Sequence, residues 1–306
     1  MAVTDISILE QYALRARPSF GHRVWTSVSS FVRHKPIGAF GAVFVFVLLA
    51  MAAVPEAFVL GRHDPTIGVL GDRLNGPSWE NWFGVDQQGR DLYTRIIYGA
   101  RTSIIIGFGV VAIGAVIAVV IGVTSGYFGG WVDMLGQRLV DIGIALPGLI
   151  FIILFVTSLQ QIPLMFRIVL SLGLLVSLGS SRILRGATIA AKQNQYVEAC
   201  RVIGATDLRI IARHIFPNVF PILLISASIQ IGGAVLVESS LAFLGYGVTP
   251  PTASWGRMLN EAREQLVRSP HMAIFPGLAI FFTVYSFNMF GDALRDVLDP
   301  RLRGSR

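Results

Sequence analysis

The sequence contains a single cysteine, Cys200, among its 306 residues. One cysteine excludes a disulfide within the chain and a cysteine-rich zinc site. The five histidines are scattered, and no two of them stand four residues apart, as the ligands of a helical zinc site do. We therefore expect no metal-centred chemistry and no metal cofactor in this chain.

Lysine is almost as scarce. Lys35 and Lys192 are the only lysines, and neither follows a glycine. The Gly-Lys-Ser/Thr loop that holds nucleotide phosphates in P-loop NTPases is therefore absent. If the activity of this protein needs ATP, another chain must bind it.

Charged residues make up only 14% of the chain, whereas 53% of the residues are apolar. Such a composition is too apolar for a water-exposed surface. Apolar runs repeatedly reach roughly 20 residues, the length of a helix that crosses a bilayer. We predict an all-α polytopic membrane protein with six transmembrane helices, at about 37–58, 102–124, 139–158, 165–185, 219–243 and 273–294.

The formal net charge of +7 is compatible with nucleic-acid binding, but the basic residues gather in the polar segments between the apolar runs. That placement is typical of the orientation of membrane spans, with basic residues inside. The larger share falls on the side that carries both termini. We therefore expect a cytoplasmic N-terminal segment (1–36), a cytoplasmic C-terminal tail (296–306) and a lipid bilayer, not a nucleic acid, as the surroundings.

The polar segment 59–101 carries Trp79, Trp82, Tyr93 and Tyr98 among Gly, Pro and Asp. Aromatic residues favour the membrane interface, so we predict a folded extracytoplasmic loop closed by an amphipathic surface helix. Its composition allows either a binding element or a plug packed on the outer face of the bundle.

A second polar segment, at 186–218, separates the fourth and fifth spans and is predicted to form a helical hairpin. Apolar positions recur at helical spacing in both arms: Tyr196, Ala199, Cys200 and Ile203, then Leu208, Ile211, Ala212 and Ile215. Gly204 would end the first helix with a positive φ, Thr206 would cap the second, and Pro217 would stop it.

The hairpin has two possible roles. It could cap its own bundle, or it could offer a knob to a soluble partner, with Arg201, Arg209 and Arg213 facing carboxylates of that partner.

The run Glu198-Ala199-Cys200, followed by Gly204 and by Ile215-Phe216-Pro217, resembles the EAA motif of bacterial ABC importer permeases. That motif reads Glu-Ala-Ala, three residues, Gly, nine residues, Ile-x-Leu-Pro. This sequence departs from it at Cys200, His214 and Phe216. Further segments resemble the second permease of dipeptide and oligopeptide importers: 83–92, 98–103, 126–133, 238–245, 250–256 and 291–300.

The resemblance implies a type I (MetI-like) permease core at about 102–295 and a chain that is not itself an enzyme. It also implies a heterodimer with a homologous permease, two ATP-binding subunits that hold ATP and Mg²⁺, and an extracytoplasmic peptide-binding protein. The coupling residues that it implies for the ATPase contact are Glu198, Ala199, Cys200, Arg201, Gly204, Asp207, Ile215 and Pro217.

Other interpretations stay open at this point. The solute could be a dipeptide, a longer peptide, glutathione or a nickel complex. Asp141, Glu238 and Asp292 fall in or near spans, which could indicate a proton relay in an ion-coupled transporter or merely carboxylates at span ends near Arg138 or Arg295. Polar span residues could line a path or join helices by hydrogen bonds: Gln161, Ser177, Gln230 and Asn288. The Gly-x-Ser-x-Gly setting of an intramembrane hydrolase is absent.

Overall fold

The computed structural model describes residues 36–59 and 64–298. Residues 1–35 of the predicted N-terminal segment 1–36 and most of the tail 296–306 lie outside these residues. Within them the chain is helical and has no β-strand, apart from one isolated bridge between Val85 and Asp91. The structure therefore agrees with the predicted all-α class.

The helices are long and follow one another closely along the chain. Their bounds are α1 Pro36–Ala53, α2 Pro55–Val59, α3 Leu92–Phe128, α4 Gly130–Ala145, α5 Gly148–Ser158, α6 Leu164–Lys192, α7 Gln195–Val202, α8 Asp207–Tyr246, α9 Trp255–Ala262 and α10 His271–Leu298. Of these, α1, α3, α6, α8 and α10 are long and apolar enough to cross a membrane, and the bent pair α4 and α5 makes a sixth span when counted together. The predicted polytopic fold is confirmed.

The third predicted span, 139–158, is not one straight helix. Helices α4 and α5 meet at 96°, and Leu146 between them has an extended backbone, with φ −82° and ψ 134°. Pro147 explains the break, because proline lacks an N–H group and disfavours the helical conformation in the residue before it. The sequence contained this signal, and the prediction of a continuous span was wrong.

Two other predicted boundaries shift. Helix α3 begins at Leu92 rather than at 102, because the Asp91 side chain caps it by accepting a hydrogen bond from the backbone N–H of Thr94 at 2.8 Å. The predicted amphipathic surface helix is therefore the first part of α3 itself. Helix α6 extends to Lys192, so the hairpin proper begins later than 186.

Helices α3 and α6 pack against each other along glycines. A Cβ atom added to Gly122 would lie 2.5 Å from the backbone oxygen of Ser181, and one added to Gly126 would lie 2.8 Å from that of Arg185. Small residues let membrane helices approach this closely. These two glycines therefore allow the close contact between α3 and α6.

The end of the bundle opposite the hairpin, which we call the far end, is closed by the loop 64–91 and by α9. Asp86 accepts hydrogen bonds from Arg90 Nε at 2.7 Å and from Arg95 Nη1 at 2.8 Å. Glu261 on α9 pairs with the same two arginines. Since all four side chains are buried or nearly so, this network locks the loop onto α3 and α9, as the plug interpretation predicts.

Burial has the largest effect on the pKa of Glu261 in the far-end network. Removal from water raises the pKa of Glu261, while the neighbouring Arg90 and Arg257 lower it. Trp255 adds an apolar anchor, since its buried ring donates from Nε1 to the backbone oxygen of Ile96 at 3.0 Å. The far end is therefore a compact cap.

The glycine contact between α3 and α6 generates a stability prediction. Gly122→Ala should lower the free energy of unfolding by about 1–3 kcal/mol, because the new methyl group meets a backbone atom that cannot move aside. Gly233→Ala on α8 is the control, since nothing lies within 4 Å of its Cβ position. Thermal unfolding in detergent would contradict the packing argument if both variants melted at the same temperature.

Candidate functional site: the hairpin between α6 and α8

The first arm of the hairpin is α7, which ends in a turn at Gly204. Gly204 has φ +81°, and the backbone N–H of Ala205 donates to the oxygen of Cys200 at 3.0 Å. This arrangement closes a helix with a residue in the left-handed region, where glycine has no steric penalty. The predicted turn at Gly204 is confirmed.

The second arm does not stop at Pro217. Asp207 starts it, and Thr206 precedes it as the N-cap residue, although its side chain makes no capping hydrogen bond. Residues 211–215 then form a π-turn, in which the N–H of Phe216 donates to the oxygen of Ile211, and the helix continues to Tyr246.

The prediction of a helix end at Pro217 was therefore wrong. Proline is tolerated in the first turn of a helical segment, where its missing N–H group costs little, and Pro217 stands near the start of the α-helical segment Phe216–Leu241 that follows the π-turn. Because the arm passes into the span unbroken, the second arm and the membrane helix form one continuous helix.

The hairpin packs onto the bundle through Val197, Ile210 and Ile215, all of which are fully buried. Of the eight residues predicted to form its apolar faces, only Ile215 is buried and two are partly buried, Cys200 and Ile211. The other five are exposed, so that prediction was largely wrong: Tyr196, Ala199, Ile203, Leu208 and Ala212. Ile203 is 81% exposed and Leu208 is 77% exposed, and the neighbouring Val202 is 83% exposed. Helical spacing did not show which side of each arm meets the bundle, and Val202, Ile203 and Leu208 flank the Gly204 turn. Val202, Ile203 and Leu208 together form what we call the apolar tip.

The other predicted coupling residues surround this tip. Glu198 and Ala199 are exposed on α7, Pro217 is exposed on the second arm, and Ile215 is buried beneath it. The predicted exposed arginines are all on the surface: Arg201, Arg209 and Arg213. The hairpin therefore presents apolar and charged groups side by side.

Tyr127, at the end of α3, anchors the hairpin to the bundle. Its buried hydroxyl group donates to Asp207 Oδ1 at 2.7 Å, and the guanidinium of Arg201 lies 5.4 Å from its ring centroid. Lys192 Nζ donates to its backbone oxygen at 2.5 Å. One tyrosine thus joins α3 to the end of α6 and to both arms.

Sequence reasoning did not single out Tyr127. It belongs to the segment 126–133, which was noted only for its family resemblance, and no local pattern indicates that Asp207 folds back onto it.

A second set of contacts joins the two arms directly. The Sγ atom of Cys200 lies 3.5 Å from His214 Nε2, and Asn218 Nδ2 donates to Tyr196 Oη at 3.0 Å and to the backbone oxygen of His214 at 2.7 Å. Cys200 and His214 are two of the three positions that depart from the EAA pattern, and they contact each other. The substitutions therefore fit together as a pair.

The three span carboxylates are placed differently from one another. Asp141 pairs with Arg182 of α6 rather than with Arg138, Glu238 is buried and accepts from Ser239 at 3.4 Å, and Asp292 is exposed. In the described ranges, no hydrogen bond or salt bridge joins one of them to another, and no group of three or more His, Cys, Asp and Glu side chains is placed to hold a metal ion.

The polar span residues serve mainly to join or stabilise helices. Gln230 of α8 accepts a hydrogen bond from Ser180 of α6 at 3.1 Å. Ser177 and Asn288 donate to backbone oxygens of their own helices at 2.7 Å and 2.9 Å, while Gln161 is exposed in the loop before α6.

Comparison with known proteins identifies the architecture. Residues 118–304 match the family described as binding-protein-dependent transport system inner membrane component. The glutathione transport system permease protein GsiD of Pectobacterium atrosepticum is 41% identical over 86% of this chain and 87% of its own length. GsiD of Escherichia coli O1:K1 is 39% identical over 89% of both chains.

The fold also matches a solved structure. A crystal structure of an amino acid ABC transporter with histidines aligns with a TM-score of 0.53 and 17% identity, over 67% of this chain and 95% of that one. This similarity concerns the fold alone. The family model and the relatives together establish that the chain belongs to the family of inner membrane components of binding-protein-dependent transport systems, and that it is a multi-pass permease of an ABC importer.

Proposed function

We propose that this chain is one of two homologous permease subunits of an ATP-driven importer of small peptides, and that its hairpin docks onto the ATPase subunits. Both termini and the hairpin lie in the cytoplasm, and the far-end cap faces the extracytoplasmic binding protein. ATP and Mg²⁺ are held by the partner ATPases, since the chain has no phosphate-binding loop.

The apolar tip is the observation that carries this proposal. Val202, Ile203 and Leu208 hold most of their surface in water at the polar end of the bundle, where exposing apolar area costs roughly 25 cal/mol per Å². A contiguous exposed apolar patch ringed by charges is typical of a protein interface. A groove on a soluble ATPase that takes the tip would bury it, and Arg209 and Arg213 would face carboxylates around the groove.

The way the hairpin is attached explains how docking would drive transport. The second arm is the first part of α8, and Tyr127 joins the arms to α3 and α6. When the ATPases close on nucleotide, a displaced tip must therefore move three spans together. Nucleotide and solute can each shift the equilibrium between the inward-facing and outward-facing states. The size of each shift is set by the difference between the affinities of that ligand for the two states.

The proposed substrate class rests on two observations. Segments of the sequence resemble permeases of dipeptide and oligopeptide importers, and the curated relatives are named glutathione transport permeases. Glutathione is itself a small peptide with free carboxylates and an ammonium group. We infer a substrate of that kind, a short zwitterionic peptide delivered by the binding protein.

The proposed function predicts the energy source. The test uses proteoliposomes that contain the chain with its partner permease, two ATPases and the binding protein. Uptake of a labelled dipeptide or of glutathione should require ATP on the side of the membrane where the ATPases lie. A protonophore should leave that uptake unchanged. Uptake that continues without ATP and collapses with the protonophore would contradict the proposal and indicate an ion-coupled transporter.

The turn at Gly204 predicts a coupling defect. Gly204→Val should be strained by about 1–3 kcal/mol, because β-branched residues avoid positive φ, and we expect uptake to fall while the complex still assembles and hydrolyses ATP. Gly204→Asn is the matched control, since asparagine tolerates this backbone region and open space surrounds the Cβ position. Equal uptake by the two variants would show that the turn geometry does not matter.

The Tyr127 anchor predicts a milder defect of the same kind. Tyr127→Phe keeps the ring against Arg201 but removes the hydrogen bond to Asp207. A bond to a charged group contributes roughly 1.5–3 kcal/mol, less here because Asp207 is exposed to water. We expect more ATP to be hydrolysed per peptide transported, by a factor of a few. Tyr246→Phe at the far end is the control and should leave this ratio unchanged. An unchanged ratio in Tyr127→Phe would show that the bond from Tyr127 to Asp207 has no role in coupling.

A further inference from the structure

A groove lies between the start of α1 and the end of α10, at the end of the bundle that carries the hairpin. Its volume is about 290 Å³, and it is lined by residues 36–38 of α1 and by Met289, Asp292, Ala293 and Asp296 of α10. Most of this lining is apolar, and the two aspartates are its only charged residues. The groove is therefore an apolar slot with one acidic side.

Tight packing of α1 against α10 forms the groove. A Cβ atom added to Gly41 would lie 2.9 Å from Cβ of Met289 and 3.0 Å from the backbone oxygen of Ser286. Helix α10 starts at the far end, where a Cβ atom added to Gly84 would meet the ring of His271. Its last turns therefore lie at the opposite end, beside the first residues of α1.

The two aspartates stand at an unfavourable place in α10. Asp292 and Asp296 are four residues apart on one face of the helix, where like charges repel each other. Asp296 also lies in the last turn, where the helix dipole disfavours negative charge. Arg295 of the same helix does not line the groove. A positively charged group in the groove would therefore be stabilised.

The residues directly before α1 include such groups. Segment 11–35 contains five Arg and Lys residues and no Asp or Glu, and its last three residues are Arg33, His34 and Lys35. They lie outside the described part of the chain. Pro36 itself lines the groove, and the backbone from Arg33 to Pro36 spans at most about 11 Å. Both basic side chains therefore start close to the aspartates.

We propose that Arg33 and Lys35 dock in this groove and pair with Asp292 and Asp296. Arginine and lysine suit its lining, because their aliphatic stems cover apolar surface while their charged ends stay at the edge. An anionic lipid headgroup would be repelled by the two carboxylates, and the groove is too small for a helix of another protein. The occupant is thus the chain's own N-terminal segment.

This contact secures the first span. The main contacts of α1 with other spans are those with α10 and α3, and α1 precedes residues 118–304, which match the family. It is therefore attached at the edge of the permease core. Ion pairs from the segment before α1 to the end of α10 fix the position of α1 along that helix.

Charge reversal tests the pairing. In the full-length chain, purified with its partner permease in neutral detergent, D292K/D296K should lower the melting temperature by about 2–4 °C, as expected for the loss of two partly exposed ion pairs. The electrostatics of α10 alone predict the opposite sign, because lysine is favourable near a helix C-terminus. Glu264→Lys, exposed at the far end, is the control and should leave the melting temperature unchanged.

The full swap D292K/D296K/R33D/K35D should restore the parental melting temperature, because the pairs form again with their charges exchanged. An unchanged or raised melting temperature in D292K/D296K would overturn the proposal. A decrease that appears only after the ATPases are added would also overturn it, since a basic group of the ATPase would then fill the groove.

A disulfide tests proximity without changing the aspartates. In a chain with Cys200→Ala, R33C/M289C should form a disulfide under mild oxidation, read as a joined peptide by mass spectrometry. R23C/M289C, with the cysteine ten residues earlier, is the matched control and should form much less. A yield from R33C no greater than that from R23C would show that the N-terminal segment does not occupy the groove.

Discussion

The close contact between α3 and α6 is the constraint on which the rest of this structure depends. A bilayer offers no water to backbone groups, so the chain crosses it as helices, and helices in lipid are held together by shape and by hydrogen bonds rather than by a hydrophobic effect between them. Gly122 and Gly126 bring the backbones of α3 and α6 together. That approach places Tyr127 beside Lys192, at the point where both arms of the hairpin meet the bundle.

This anchor holds the base of the hairpin against the bundle and leaves its tip exposed. Its inner side is buried in the bundle through Val197, Ile210 and Ile215, while its tip holds three apolar side chains in water. The π-turn at 211–215 carries the second arm past Pro217 and into α8 without a break. A structure that is braced at its base, continuous with a span and apolar at its end is suited to receive a movement from a partner and to pass it on to the membrane helices.

The sequence predicted much of this, and the failures have physical causes. Apolar runs placed the spans, and the need for positive φ located the turn at Gly204. The effects of proline were harder to predict, because they depend on what surrounds the residue: Pro147 breaks a span by 96°, whereas Pro217 stands just after a π-turn and ends nothing.

The remaining differences concern contacts between parts of the chain that are far apart in sequence. Spacing cannot tell that Ile203 and Leu208 have no neighbour to pack against, or that Asp141 meets Arg182. The Tyr127–Asp207 bond joins residues from different spans of the bundle, and no local signal marks it. Local chemistry thus predicts the elements, while the functional connections between them arise from packing.

Photo-crosslinking from the apolar tip tests most directly whether the hairpin docks on an ATPase. A photoreactive amino acid at Ile203 should attach the chain to an ATPase subunit in the assembled complex, and the same group at Val267, which is 96% exposed at the far end, should not. The yield at Ile203 should also change when nucleotide closes the ATPases. Crosslinks from Ile203 only to lipid or to the chain itself, with the ATPases present, would contradict the coupling role of the hairpin.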